Sequence, residues 1–371
     1  MTKITKSILL FSAFSMAFGL VFGAIGAAFG GLQVVAIDWN QGIRVIGPND
    51  YHTEDFSEII ENSNSIDCLA VDVNAGRLRI ISGSELSVSA SFIQDFWNLE
   101  CSVSSSTLVV SLSTMRSGFI PGFLWDPSGR FTSPEVVITI PSNKTFRDIS
   151  ISSDAAHVDL SGIKTDTANL SFNAAYVSAT SIQCKQLYLT MNAGEVNLSN
   201  VRATDSVSIS LNAGAIYVQE AIFTNLNFTM QAGYASFEGV LKGSNSITAS
   251  AGDANFRLQQ HENDLDVRCK TSVGDISVNN MHFSGLEGSG NAGSPQGSVK
   301  IFVNLEFGSI NISTFDYEDW SDPYYDYDNG NPGSNNGTED DDEVPLDTEE
   351  IDESSEDFEE REEPENSRGI R

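Results

Sequence analysis

Cysteine is scarce and scattered. Cys68, Cys101, Cys184 and Cys269 are the only four, with no CxxC pair and no histidine at metal-ligand spacing. That excludes a disulfide scaffold and a zinc site, and leaves a single Cys68–Cys101 bridge open. Positive charge is as thin: 20 Lys and Arg stand against 51 Asp and Glu, a net of −31. Without a basic cluster to neutralise phosphates, nucleic acid is not a partner. Catalytic signatures are missing too, with no G-x-S-x-G, no H-E-x-x-H and no P-loop. The four histidines, His52, His157, His261 and His282, are dispersed and read as surface residues. No pattern asks for a cofactor or a metal.

What is there begins with two uneven ends. From Asp316 to Arg371 the chain has 23 acidic and 3 basic residues, so −20 of the −31 belongs to this tail. Low hydrophobicity with high charge predicts that 316–371 stays disordered. At the other end, Lys3 and Lys6 precede an uncharged run from Ser7 to Ile37. As a helix that run would span roughly 46 Å, more than the ~30 Å of a bilayer core. Residues 1–37 therefore read as a membrane anchor, with a cleavable signal as the alternative because Gly26-Ala27-Ala28 supplies small residues. The basic flank stays in the cytoplasm and the remainder is exported. An uncleaved helix makes a single-pass membrane protein with its C-terminal region outside the cytoplasm; a cleaved one makes a secreted protein.

Between the ends the chain repeats itself. "TMNAGEVNLSNV" (190–201) is followed by "SLNAGAIYVQEA" (210–221), and the anchor residue of this sentence recurs as Ala156, Ala175, Gly194, Gly214, Gly233, Gly252 and Gly274. Gly76 and Gly308 begin the same pattern at either end. A fixed period of about twenty residues is a solenoid signature. Two residues after each anchor stand Leu78, Val158, Val177, Val196, Ile216, Ala235, Ala254, Ile276 and Ile310, and apolar residues continue at every second position on both sides. That alternation means strand, corner, strand with one face buried. The fold predicted is all-β: a right-handed parallel β-helix, or β-solenoid, with about 20 residues per rung. Gly supplies the backbone of the corner, and the alanine before it is expected to fit the corner's tight interior. Asn74, Asn173, Asn192 and Asn212, with Asp154 and Gln231 in the same column, form a candidate hydrogen-bonded ladder with a structural role.

The organisation predicted is an anchor over 1–37, a polar lead-in over 38–65, the solenoid over 66–315 and the tail over 316–371. The 80-residue step from Gly76 to Ala156 reads as about four further periods, interrupted by the aromatic, Pro- and Gly-bearing excursion "FIPGFLWDPSGRF" at 119–131. The one enzyme-like arrangement is Asp253 with Asp275, in the same post-corner column of successive units, with Glu195 three units before Asp253. One strand spacing apart, such a pair would match the ~5 Å carboxylate separation of retaining glycosidases. The same column also holds His157, Tyr176, Ala215 and Tyr234, as a solvated position would.

"RLRIISGSELSVSA" (77–90), "VVITIPSN" (136–143) and the recurring "AGEVNL", "AGAIYV", "AGDANF" and "VGDISV" resemble the "putative adhesin" family of bacterial domains of unknown function. Alanine replaces the glycine at 156 and 175, and His, Tyr, Glu or Ala replaces the aspartate of most corners. The resemblance implies a membrane-anchored β-helix outside the cytoplasm, linked in relatives to envelope-stress signalling, with no catalytic residues. The expectation is a non-enzymatic bacterial envelope protein, its coil facing an envelope protein or a cell-wall polymer. A polysaccharide-active β-helix enzyme and a purely structural spacer are the alternatives.

Overall fold

The computed structural model describes residues 34–38, 42–46, 53–94, 97–114 and 133–315. Its contacts divide the chain into Met1–Asp319 and Trp320–Arg371. The anchor up to residue 33, the excursion at 119–131, His52 and the tail 316–371 lie outside the described residues. Val34–Asp38 (β1) pairs antiparallel with Gly42–Ile46 (β2). The predicted helix therefore does not extend to residue 37, because its last four residues belong to a strand. Among the described residues no helix is long and apolar enough to cross a membrane.

The remaining strands form one sheet wound into rungs. Its centre is Phe146–Ser161 (β9), Lys164–Leu211 (β10), Ala215–Thr224 (β11), Leu226–Met230 (β12), Tyr234–Lys242 (β13) and Ser244–Leu258 (β14). All pairing here is parallel, and the register repeats the period of the sequence. Leu170 lies beside Ile151, Val196 beside Ile216, Ile216 beside Ala235 and Phe237 beside Phe256. Like residues therefore stack on like, and the apolar columns merge into one core. Where the post-corner column narrows to Ala235 and Ala254, phenylalanines take the volume. The Phe237 and Phe256 rings lie 5.6 Å apart and Phe228 meets Phe256 edge-on at 5.9 Å. Alternating large and small residues in this way keeps the interior at native density.

The corners explain the glycine column. Gly194 and Gly214 hold φ of 118° and 121°, and a Cβ on either would lie 2.1 Å from the carbonyl oxygen of the preceding corner. Ala156 and Ala175 take no left-handed backbone and are buried. The alanine that precedes the anchor does not fill an interior, contrary to expectation: Ala155, Ala174, Ala193, Ala213 and Ala232 are exposed on the outside of the bend. The inward position at the bend is the anchor's own, so only the residue at 156 and 175 is enclosed.

Both ends of the stack depart from chain order. At one end Cys68–Gly83 (β4) lies directly on β9, with Gly76 beside Ala156. The described strands between β4 and β9 in the chain do not form four rungs between them; they lie beyond β4. Thr107–Thr114 (β7) extends its first half and Glu135–Pro141 (β8) its second, both parallel. Antiparallel strands then close this end: Ser87–Ile93 (β5) on β8, Thr53–Ile59 (β3) on β5, and Trp97–Ser104 (β6) on β7. At the other end Val299–Thr314 (β17) inserts between β14 and Leu265–Val278 (β15), and Met281–Gly293 (β16) pairs antiparallel outside β15. Antiparallel caps stop the parallel pairing from continuing. The lead-in thus contributes β3 to the sheet.

Candidate functional site

On the strand segment that follows each corner, even positions after the anchor point inward and odd positions outward, which is the period-two rule of a strand. The outward residues form two columns running along the stack, one and three residues after the anchor. The rungs set neighbours in each column about 4.8 Å apart.

Near β4 this flank is a charged cluster. Arg77 donates to Asp159 through Nη2 at 2.8 Å and Nε at 3.2 Å, and His157 Nε2 lies 3.1 Å from Asp159 Oδ1. Partial burial pushes the Asp159 carboxyl up, but the Arg77 hydrogen bond and the charges of His157 and Arg77 outweigh it and hold it below its usual value. The His157 ring stacks on Tyr176 with centroids 4.9 Å apart. One ring face and Nε2 are thus engaged.

In the middle rungs the flank dips. A depression of ≈ 300 Å³ is lined by Ser178, Thr180, Glu195, Asn197, Leu198, Ser199, Tyr217 and Gln219. Asn197 Nδ2 donates to Glu195 Oε1 at 2.9 Å, which fixes both on its floor. Tyr217 lines it, and the Tyr234 ring lies against Tyr217 with centroids 5.7 Å apart. Tyr176, Tyr217 and Tyr234 are 43%, 36% and 39% exposed, an unusual cluster of solvent-facing rings on an otherwise polar face. The sequence had marked Tyr176 and Tyr234 only as occupants of a solvated column. The signal that would have found the cluster is tyrosine in both outward columns across four consecutive rungs.

The last rungs bear on the carboxylate pair. Asp253 and Asp275 are not neighbours: each lies beside Ser309, which stands between them. They are two strand spacings apart, roughly 9–10 Å, rather than the ~5 Å of a retaining pair. Ser309 Oγ donates to Asp253 Oδ1 at 2.5 Å. The cause is the insertion of β17, which the sequence period does not reveal. Glu195 lies three rungs from Asp253, with Ala215 and Tyr234 between.

At the corner itself the asparagine column forms a chain. Asn212 Nδ2 donates to Asn192 at 2.5 Å, Asn192 Nδ2 to Asn173 at 2.6 Å, and Asn173 Nδ2 to Asp154 at 2.5 Å. Asn74 occupies the equivalent place one rung out, where Ala75 lies beside Ala155. The amides of Asn173 and Asn192 each donate to one neighbour and accept from the other, which ties these rungs together. The corner anchors Gly233, Gly252, Gly308 and Gly274 continue the column in that spatial order, with Gly308 in contact with both Gly252 and Gly274.

All four cysteines are free. Cys68 lies beside Thr107 and Cys101 beside Val110, two strands and three residues apart, too far for a disulfide. Burial pushes the thiols of Cys184 and Cys269 up to about 12 and about 11. Burial, helped by Glu58, pushes Cys101 up to about 11. Such thiols stay protonated and unreactive. Among the described residues no group of three His, Cys, Asp or Glu is placed to hold a metal ion.

The chain is similar in structure to a "putative cell adhesion protein" from Clostridium sporogenes, 16% identical, covering 71% of this chain and 100% of that one with a TM-score of 0.28. It is also similar to a "putative adhesin" from Parabacteroides distasonis (10% identical, 71% and 98% covered, TM-score 0.37) and another from Bacteroides fragilis (13%, 71% and 97%, TM-score 0.26). No curated protein matches the chain. Residues 66–313, the wound sheet apart from β3 and the final residue of β17, match the family described as Toastrack DUF4097. The chain belongs to the Toastrack DUF4097 family.

Proposed function

We propose that the chain is a non-enzymatic, adhesin-like binding protein of the bacterial cell envelope, held by its N-terminal segment in the membrane with the coil outside the cytoplasm. The outward post-corner flank is its working surface, and a protein or cell-wall polymer of the envelope is its partner. The observation that supports this reading is the depression on the middle rungs, lined by exposed Tyr217, with exposed Tyr234 against that ring and exposed Tyr176 on the same flank. Exposed aromatic rings on a rigid sheet lose little conformational freedom when they are covered, which makes them effective anchors. No strand edge is free there, since each of these rungs is paired on both sides.

The test is co-sedimentation of the full chain with cell-envelope material. Replacing Tyr176, Tyr217 and Tyr234 together by serine is expected to weaken retention at least about tenfold. The same change at Tyr188, a 41% exposed tyrosine on the strand segment before the corner, is expected to leave it unchanged. Equal retention of the triple variant, or equal loss at Tyr188, contradicts the proposal.

A further inference from the structure

We infer that the depression on the middle rungs binds a polysaccharide segment that carries no net negative charge, lying along the stack and contacting several sugar rings. The inference rests on the reading of this flank as the working surface, and it names what that surface takes.

The chemistry of the floor comes first. Ser178, Thr180, Ser199, Asn197 and Gln219 offer hydroxyls and amides, groups that donate and accept within the same side chain. A sugar presents hydroxyls that do the same, so each ring hydroxyl can find both a donor and an acceptor there. The apolar residue of the lining, Leu198, is 2% exposed, so the floor gives no purchase to a lipid chain or an apolar helix.

The rings supply the second half of the recognition. The C–H faces of a pyranose are apolar and stack on aromatic faces, while its rim hydrogen-bonds. Tyr217 in the lining and Tyr234 against its ring present such faces beside the polar floor, and Tyr176, stacked on one side by His157, stands further along the same flank. Tyr176 and Tyr234 share a column three rungs apart, with Glu195 and Ala215 between them. Three strand spacings are roughly 14 Å, longer than one sugar ring.

Charge then selects the class of polymer. Glu195 is the ionisable acid of the lining, and Asn197 already orients it. The arginines of this flank are taken: Arg77 pairs with Asp159, Arg79 with Glu135 at 3.7 Å and Arg257 with Glu238 at 2.7 Å. An anionic polymer would meet a carboxylate and no available cation, in a chain whose net charge is −31. A neutral or amino-sugar polymer meets no such penalty. A peptide strand is excluded from adding to the sheet here, because the backbone groups of these rungs already pair with both neighbours.

The experiment titrates the full chain with soluble hexasaccharides of N-acetylglucosamine, glucose, glucosamine and galacturonic acid, reading affinity by calorimetry. At least one of the first three is expected to bind, the galacturonate hexamer is not, and the matching monosaccharide is expected to bind at least about tenfold more weakly than its hexamer. Tyr217→Ala is expected to weaken binding about tenfold, with Tyr188→Ala unchanged and both variants retaining the wild-type circular dichroism spectrum. Preference for galacturonate, or binding indifferent to Tyr217, overturns the inference. So does failure of all four hexamers. If the hexamers fail while envelope retention still depends on the three tyrosines and is abolished by protease treatment of the envelope, the partner is a protein. The polysaccharide is then wrong and the working surface stands.

Discussion

Gly214 and Ala175 hold the same corner two rungs apart, yet they are not interchangeable. Gly214 needs φ of 121° and its missing Cβ leaves room for the Gly194 carbonyl. Gly214→Ala is therefore expected to destabilise the coil by about 1–3 kcal/mol, seen as a lower urea midpoint. Ala175→Gly, at a backbone any residue adopts, is expected to cost only about 0.5–1 kcal/mol. Equal effects would show that the corner conformation is misassigned. Asp159 gives a second residue-scale prediction. Its carboxyl is held below its usual 3.8 in the folded chain, chiefly by Arg77 and His157 against the opposing effect of burial. Its contribution is thus present above that usual value and is lost as the pH falls through the lower folded value. Between about pH 5 and about pH 2, wild type should lose melting temperature faster than Asp159→Asn; parallel curves would contradict the pairing. At this scale the sequence was informative about columns, since a period of twenty residues assigns each residue its place in a rung. It said less about direction at the bend, and so the exposed alanines were expected inside.

Strands are where the reading from sequence separates from the structure. Periodicity identifies which residues share a column, because the buried face selects apolar residues at fixed places. It does not identify which rung is the neighbour. Ile247 lies beside Val303, 56 residues on, as readily as Leu170 lies beside Ile151, 19 residues back, because both pairs satisfy the same pattern. The chain order was therefore legible through the centre and misleading at both ends, where antiparallel caps force strands to return out of turn. The displaced order has a direct test in a variant with Cys68 and Cys101 replaced by serine. Asp253→Cys with Ser309→Cys should oxidise to a disulfide, since adjacent strands set their Cα atoms about 5 Å apart. Asp253→Cys with Asp275→Cys should not, because twice that distance exceeds the reach of the bond. The reverse pattern would restore the carboxylate pair as neighbours. Packing at this scale predicts that Phe256→Ala destabilises by about 3–5 kcal/mol, because that ring is shared by Phe228 and Phe237 and sits where Ala254 leaves space. A cost under about 1 kcal/mol, measured by chemical denaturation, would mean that the core is not packed as described.

For the molecule as a whole, one flank of a wound sheet carries the account. The rungs hold backbone and side chains rigid, the caps end the pairing, and the tyrosines face solvent where the floor is polar and uncharged apart from Glu195. Little of this candidate site was legible beforehand, since a column shows that a residue points outward but not that Tyr217 lines a hollow with Tyr234 against its ring. The most direct test is photocrosslinking in intact cells from residues 197 and 217 on the post-corner flank, against 188 and 227 on the segment before the corner. The account predicts capture of an envelope polymer or protein from 197 and 217 and none from 188 and 227. Equal capture from both flanks, or capture only from 188 and 227, would contradict it.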